Sequence, residues 1–215
     1  MKLIQGSSCI LTCVFLNSLL LFCDVARAEG WKEVRSKDGT IEIQSQIADT
    51  ILDGGSVELV KYKASTQAEV SIDQFIAAMN RPETHQFVLE NERVIRLKTI
   101  SDHEWVFYYF FNFPWPMSDA DCVVHITLLQ SANGAEFVLS AAPSEYPMQK
   151  VKRMPIYNVK YTLQKINEKS SRISVDSEIA STMNAPHILV QLWFPEGPAD
   201  LLKRVIKASQ KPISP

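Results

Sequence analysis

Glycine is scarce in this chain, with seven residues in 215, and that scarcity removes one group of activities. A phosphate-cradling loop needs several glycines close together so that backbone N–H groups can approach the anion; only Gly54 and Gly55 adjoin. Neither a Gly-x-Ser-x-Gly elbow nor a His-Glu-x-x-His pair is present, so the linear signatures of serine hydrolases and zinc proteases are missing. Cysteine is sparse where it would matter: Cys9, Cys13 and Cys23 crowd the first 23 residues, and Cys122 is the only other. An excess of basic charge is missing too. The 22 basic and 24 acidic side chains give a net charge of −2, whereas a nucleic-acid binder needs a positive stripe to neutralise phosphates. Nucleic acid is not an expected partner.

What is there begins with a leader. Lys2 is followed by an apolar stretch from Cys9 to Leu16 and from Leu19 to Phe22, and then by Ala26-Arg27-Ala28, a small-x-small site for a signal peptidase. The expectation is a signal peptide over residues 1–28, cleaved after Ala28, that exports residues 29–215 to the periplasm or the medium. Asn17, Ser18, Asp24 and Arg27 keep the apolar run short of the roughly 20 residues a spanning helix needs. Phe22 is too bulky to precede a lipidated cysteine at Cys23. Cleavage would leave Cys122 alone, so no intrachain disulfide could form, and 20 basic against 23 acidic side chains, a net charge of −3. Such a domain relies on its apolar core, and at this length it buries roughly 70% of the surface its unfolded chain exposes.

No repeat, low-complexity tract or linker divides residues 29–215, which read as one domain. A short helical turn around Gly30 to Lys37 is expected first. Ile41, Ile43, Ser45 and Ile47 alternate with Glu42, Gln44 and Gln46, the period of a half-buried strand, and Asp53-Gly54-Gly55 turns the chain into a second strand from Val57 to Ala64. Ser71 and Gln74 form a capping box ahead of a helix carrying Phe75, Ile76 and Met79, which Arg81-Pro82 ends. Strands are expected at 93–99, 104–113, 122–129, 136–141, 158–165 and 171–181, antiparallel because several connections are too short for a crossover. Pro186 to Phe194 reads as one helical stretch. Pro198 starts another, with Leu201, Leu202, Val205 and Ile206 on one side and Lys203, Arg204 and Lys207 on the other.

Three passages resemble a known family. Trp31 to Val34 followed by Lys37-Asp38-Gly39-Thr40-Ile41 is similar to the opening of the START domains, the lipid-transfer domains related to steroidogenic acute regulatory proteins. Phe113-Pro114-Trp115-Pro116-Met117-Ser118-Asp119-Ala120-Asp121-Cys122-Val123 resembles that family's Pro-x-Pro loop leading into an Arg-Asp-x-Val strand start. Ala185-Pro186-His187-Ile188-Leu189-Val190 resembles its proline-led entry into the C-terminal helix. Ala120 stands where the family has arginine, so of that pair only Asp121 carries over. The resemblance implies an α+β helix-grip fold, a curved antiparallel sheet wrapped around a C-terminal helix. It also implies an internal apolar cavity for a sterol, phospholipid or fatty-acid-like molecule.

Strand parity selects the residues that would face such a cavity. Glu104 and Asn112 share one parity, so Trp105, Phe107, Tyr109, Phe111 and Phe113 should point inward. Tyr161 and Leu163 oppose Lys160 and Gln164; Val175, Ser177 and Ile179 oppose Asp176 and Glu178. Leu189, on the C-terminal segment, completes the expected lining. The same alternation also serves a filled core, which would suit a protein-interaction module. Tyr108 and Phe110 have the outward parity and are expected to need a cover, with Trp31 the candidate. Asp121 and His125 share a face about 13 Å apart, too far to hold one metal ion, and Cys122 and His125 face opposite sides. No metal, cofactor or nucleophilic pair is therefore expected. The function expected is an exported carrier of a hydrophobic small molecule, not an enzyme, with transient membrane contact. The alternative is a cyclase- or hydratase-like enzyme on the same scaffold, using Tyr109, Tyr161 or a cavity histidine as acid or base.

Overall fold

The computed structural model describes residues 30–90, 93–113, 115–180 and 187–211. The leader, and the start of the 185–190 passage, lie outside them.

The chain opens not with a helical turn but with a strand, β1 (Lys32–Arg35), whose four residues are all exposed. It is an edge strand held by side chains as much as by burial: Arg35 pairs with Glu42 at 2.8 Å, and Gln44 donates to Glu33 at 2.7 Å. It adds to β2 (Glu42–Leu52), which forms a hairpin with β3 (Gly55–Ala68). The connecting residues Asp53 and Gly54 have φ of 50° and 79°, the left-handed pair that a two-residue hairpin loop requires.

Helix α1 (Ile72–Met79) starts at the expected box, with the Gln74 N–H donating to Ser71 Oγ at 3.2 Å and the Ser71 N–H donating to Gln74 Oε1 at 2.9 Å. Pro82 does not simply stop it. It occupies the first turn of a second short helix, α2 (Pro82–Leu89), where its missing N–H costs nothing. The sheet then resumes with β4 (Arg93–Ser101), β5 (Glu104–Phe111), β6 (Ala120–Ser131) and β7 (Gly134–Ala141). A two-residue strand, β8 (Lys152–Arg153), precedes β9 (Ile156–Asn167) and β10 (Ser170–Ala180). Two helices follow in series, α3 (His187–Trp193) and α4 (Glu196–Ser209), where two helical stretches were expected.

The spatial order is β1-β2-β3-β10-β9-β7-β6-β5-β4, antiparallel throughout, with β8 added in parallel to β6. The sheet is not closed. Its concave face carries one core to which β5 contributes Trp105, Phe107, Tyr109 and Phe111, β9 contributes Tyr157 to Leu163, and α4 contributes Ala199, Leu202 and Val205.

The outer face has a smaller cluster of its own. Tyr108 is fully buried there with Val106 and Val123, covered by Tyr146 at 5.0 Å and not by Trp31. Trp31 lies at the opposite edge, its ring 5.2 Å from Lys63 Nζ. What fastens the 142–153 connector over Tyr108 is an ion pair. Arg153 donates twice to the fully buried Asp121, from Nε to Oδ1 and from Nη2 to Oδ2, both at 2.9 Å, and its remaining N–H groups reach the carbonyls of Pro143, Tyr146 and Pro147. Asp121, the residue carried over from the family motif, is thus a clasp on the convex side.

Candidate ligand cavity

The helices cover the two ends of the concave face unequally. At one end α1 drives Phe75 onto Phe137 and Tyr161, with ring centroids 5.8 and 6.0 Å away, and Trp105 stacks on Phe137. There α2 adds His85, 4.9 Å from the Phe107 ring and 5.7 Å from that of Tyr109. At the other end the cover is α3, which buries none of its residues, and a cavity of about 800 Å³ remains. That lies within the range of pockets that enclose most of a small apolar molecule.

The wall is built from several elements. Strand β3 supplies Val60 and Tyr62, β9 supplies Tyr157, Val159 and Tyr161, and β10 supplies Ile179. The end of β5 and the following loop give Phe111, Phe113, Trp115 and Met117; Lys152 and Met154 flank the clasp residue Arg153. The roof is Leu89, Leu189, Val190, Trp193 and Leu201. Tyr62 meets Trp193 edge-on at 5.6 Å, and Trp193 in turn lies over Gly197, where any β-carbon would collide with the indole.

Of the residues selected by parity, Phe111, Phe113, Tyr161 and Ile179 line this cavity, as does Leu189. Trp105, Phe107, Tyr109, Leu163 and Val175 share the same face but belong to the packed core, and Ser177 is buried behind Tyr62, its partner in register. Tyr62, Tyr157 and Met154 were not singled out. The first two continue the inward parity of their strands and were accessible to that rule. Nothing in the sequence marks Met154, because it follows a strand of two residues that has no period to read.

Two polar pairs sit at the cavity. Arg204 on α4 meets Glu90 at 2.7 Å, and Glu58 meets His187 at 2.5 Å. Burial keeps the tyrosines neutral: it raises Tyr62 to about 12 and holds Tyr109, Tyr157 and Tyr161 well above the ordinary phenol value. His85 is pushed down to about 4, chiefly by burial. Its Nε2 lies 2.7 Å from the Met79 carbonyl and its Nδ1 lies 2.9 Å from the Tyr109 hydroxyl. In the neutral tautomer protonated on Nε2, the ring donates to the first and accepts from the second.

Among the described residues no group of three His, Cys, Asp or Glu is placed to hold a metal ion. The Cys122 thiol is buried and raised to about 12. His125 is on the other face of β6, with Nε2 3.0 Å from Glu104 Oε1 but without hydrogen-bond alignment.

No family model matches the sequence, and no curated protein matches it. Solved structures do resemble the fold. A STAR-related lipid transfer protein from Xanthomonas axonopodis (fragment 25–204) superposes with a TM-score of 0.69 at 19% identity, covering 85% of this chain and 100% of its own. Human STARD10 superposes with a TM-score of 0.66 at 17% identity, covering 86% of this chain and 75% of its own. The Zhui aromatase/cyclase from a Streptomyces species reaches 0.52 at 6% identity, over 71% of this chain and 94% of its own. The chain therefore has the fold of the START lipid-transfer domains: a large, curved antiparallel sheet, open at its edges, gripping a C-terminal helix.

Proposed function

We propose that this protein is an exported lipid-binding domain that holds one hydrophobic molecule in the cavity between α3 and the sheet and carries it between membranes. The cavity itself carries the reading: about 800 Å³ under a helix with no buried side chain is room that a protein stabilised only by packing would have filled. One of the structures that share the fold is a STAR-related lipid transfer protein, which supports a hydrophobic ligand. Removing apolar surface from water drives binding at about 25 cal/mol per Å². The leader at residues 1–28 is what assigns the domain to the periplasm or the medium.

The mouth supports contact with a membrane. Trp115 is 91% exposed, Ile51 72%, Leu192 71% and Ile188 57%. Trp115 lines the cavity, Ile188 and Leu192 flank the lining residue Leu189 on α3, and Ile51 pairs with the lining residue Ser56. Large apolar side chains gathered at one opening suit a lipid surface better than bulk water.

The enzyme reading has one supporting observation, the shared fold with an aromatase/cyclase. The chemistry of the wall favours the carrier. Phenols held protonated by burial are poor bases, and the Tyr109 hydroxyl is already engaged by His85.

Native mass spectrometry of the protein purified from its own host, followed by organic extraction, tests the proposal. The expected result is an intact mass lacking residues 1–28 and a stoichiometric, chemically unaltered lipid. An empty protein that also refuses sterols, fatty acids and phospholipids would overturn the carrier reading, and recovery of a chemically converted ligand would replace it with the enzyme.

A further inference from the structure

A wall built only to receive hydrocarbon has no use for phenols, yet three line this cavity. Tyr157 and Tyr161 are 4% and 7% exposed, and neither hydroxyl has a hydrogen-bond partner among the described residues. Elsewhere in the protein, buried phenols are matched: Tyr109 by His85 at 2.9 Å and Tyr108 by Arg93 at 3.4 Å. Across β10, the buried Ser177 hydroxyl faces Tyr62, the third phenol of the wall, and these two serve each other. Buried hydroxyls are nearly always paired, because leaving one unpaired forfeits the hydrogen bond it made to water. Tyr157 and Tyr161, whose hydroxyls open on the cavity without a protein partner among the described residues, form a polar subsite that a matching group can fill.

The charge of that group follows from what surrounds it. Tyr157 is influenced by Tyr109, Tyr161, Cys122 and Tyr62, and Tyr161 by Tyr62; no lysine or arginine acts on either. Two cations do line the cavity, Arg204, bound to Glu90 with its Nε still unpartnered among the described residues, and Lys152, exposed on β8, but neither acts on these two phenols. A carboxylate or phosphate taken to the phenols would lose its hydration with no countercharge to replace it. A hydroxyl or carbonyl needs only a donor and an acceptor, which each neutral phenol offers.

We infer, building on the lipid-binding reading, that the cavity selects hydrophobic molecules whose buried end bears an uncharged hydroxyl or carbonyl, bound by Tyr157 and Tyr161. Acidic lipids are disfavoured head-first. A matched series isolates the head group: tetradecane, 1-tetradecanol and tetradecanoate compete against Nile red on the purified protein, in wild type and in the Tyr157→Phe/Tyr161→Phe variant. An alcohol leaves water less readily than an alkane, so any preference for it must come from the protein. The alcohol is expected to displace Nile red at roughly tenfold lower concentration than either competitor, the increment of one or two net hydrogen bonds. The double variant should lose that preference, read as the ratio of the alcohol and alkane displacement concentrations so that any change in affinity for Nile red, itself a carbonyl compound, cancels. Phenylalanine preserves the ring, and an unchanged thermal midpoint certifies the fold; should the double variant not fold, the two single variants carry the same comparison. Tetradecanoate binding as tightly as the alcohol, or a preference that survives in the variants, would overturn the subsite and leave lipid binding intact. Nile red failing to bind, or resisting all three competitors, would instead remove the lipid-binding reading on which the subsite rests.

Discussion

The two ends of the concave face share β5 and β9 with the same alternation, and one is solid while the other is hollow. Their covers differ. At the solid end α1 is amphipathic and sends Phe75, Ala78 and Met79 into the core; at the hollow end α3 rests on the rim and buries nothing. Whether an inward-facing strand residue becomes core or cavity wall is thus decided by the helix above it, not by the strand. The hollow end is bordered by something the solid end lacks, a buried ion pair: Arg153, held by Asp121, lies between the lining residues Lys152 and Met154.

Breaking that border should have the largest effect. Arg153→Met leaves the Asp121 carboxylate buried and alone and releases three carbonyls, and a loss of about 4 kcal/mol is expected by urea denaturation. Hydrogen exchange should rise first in residues 143–154. Phe75→Ala, at the solid end, should cost about 3 kcal/mol because it empties a fully buried site. Ile179→Ala, at the hollow end, should cost under about 1 kcal/mol, since its side chain already faces free volume. Equal losses at the two ends would erase the distinction.

A pH dependence at the solid end ranks between the Phe75 and Ile179 losses. His85 has a folded-state pKa of about 4 against an ordinary 6.5. The unfolded chain therefore takes up a proton at higher pH than the folded one. The stability His85 allows is complete above about pH 6.5 and declines as the pH falls toward 4, by about 2 kcal/mol between pH 7 and pH 5. His85→Gln should lack that share of the decline, measured as the difference in urea midpoints at the two pH values.

Much of the sheet was legible because its strands alternate cleanly. The inward parity of β5, β9 and β10 follows directly from residues such as Lys160, Gln164, Asp176 and Glu178, and the capping box at Ser71 marked α1. Other elements were hidden for identifiable reasons. Strand β1 has no buried residue to give it a period. The start of α2 was masked by Pro82, which reads equally well as the end of one helix or the beginning of the next. The division of the concave face into core and cavity was not legible at all, since it depends on which helix reaches which strand. For the same reason Tyr109 and Tyr161, indistinguishable by parity, have different surroundings: one is tied to His85 and the other faces the cavity.

The connection between Lys37 and Glu196, residues 159 apart in sequence, bears on how the protein reaches this state. Together with the Asp38–Lys203 ion pair at 2.7 Å, it closes the N-terminal hairpin against α4, while β3 waits for β10, over a hundred positions later, to find its neighbour in the sheet. Contacts of such long range put this chain among slow folders, in milliseconds to seconds. Until α4 docks, the apolar face remains uncovered. The chamber beneath the helices is therefore the last part of the protein to form.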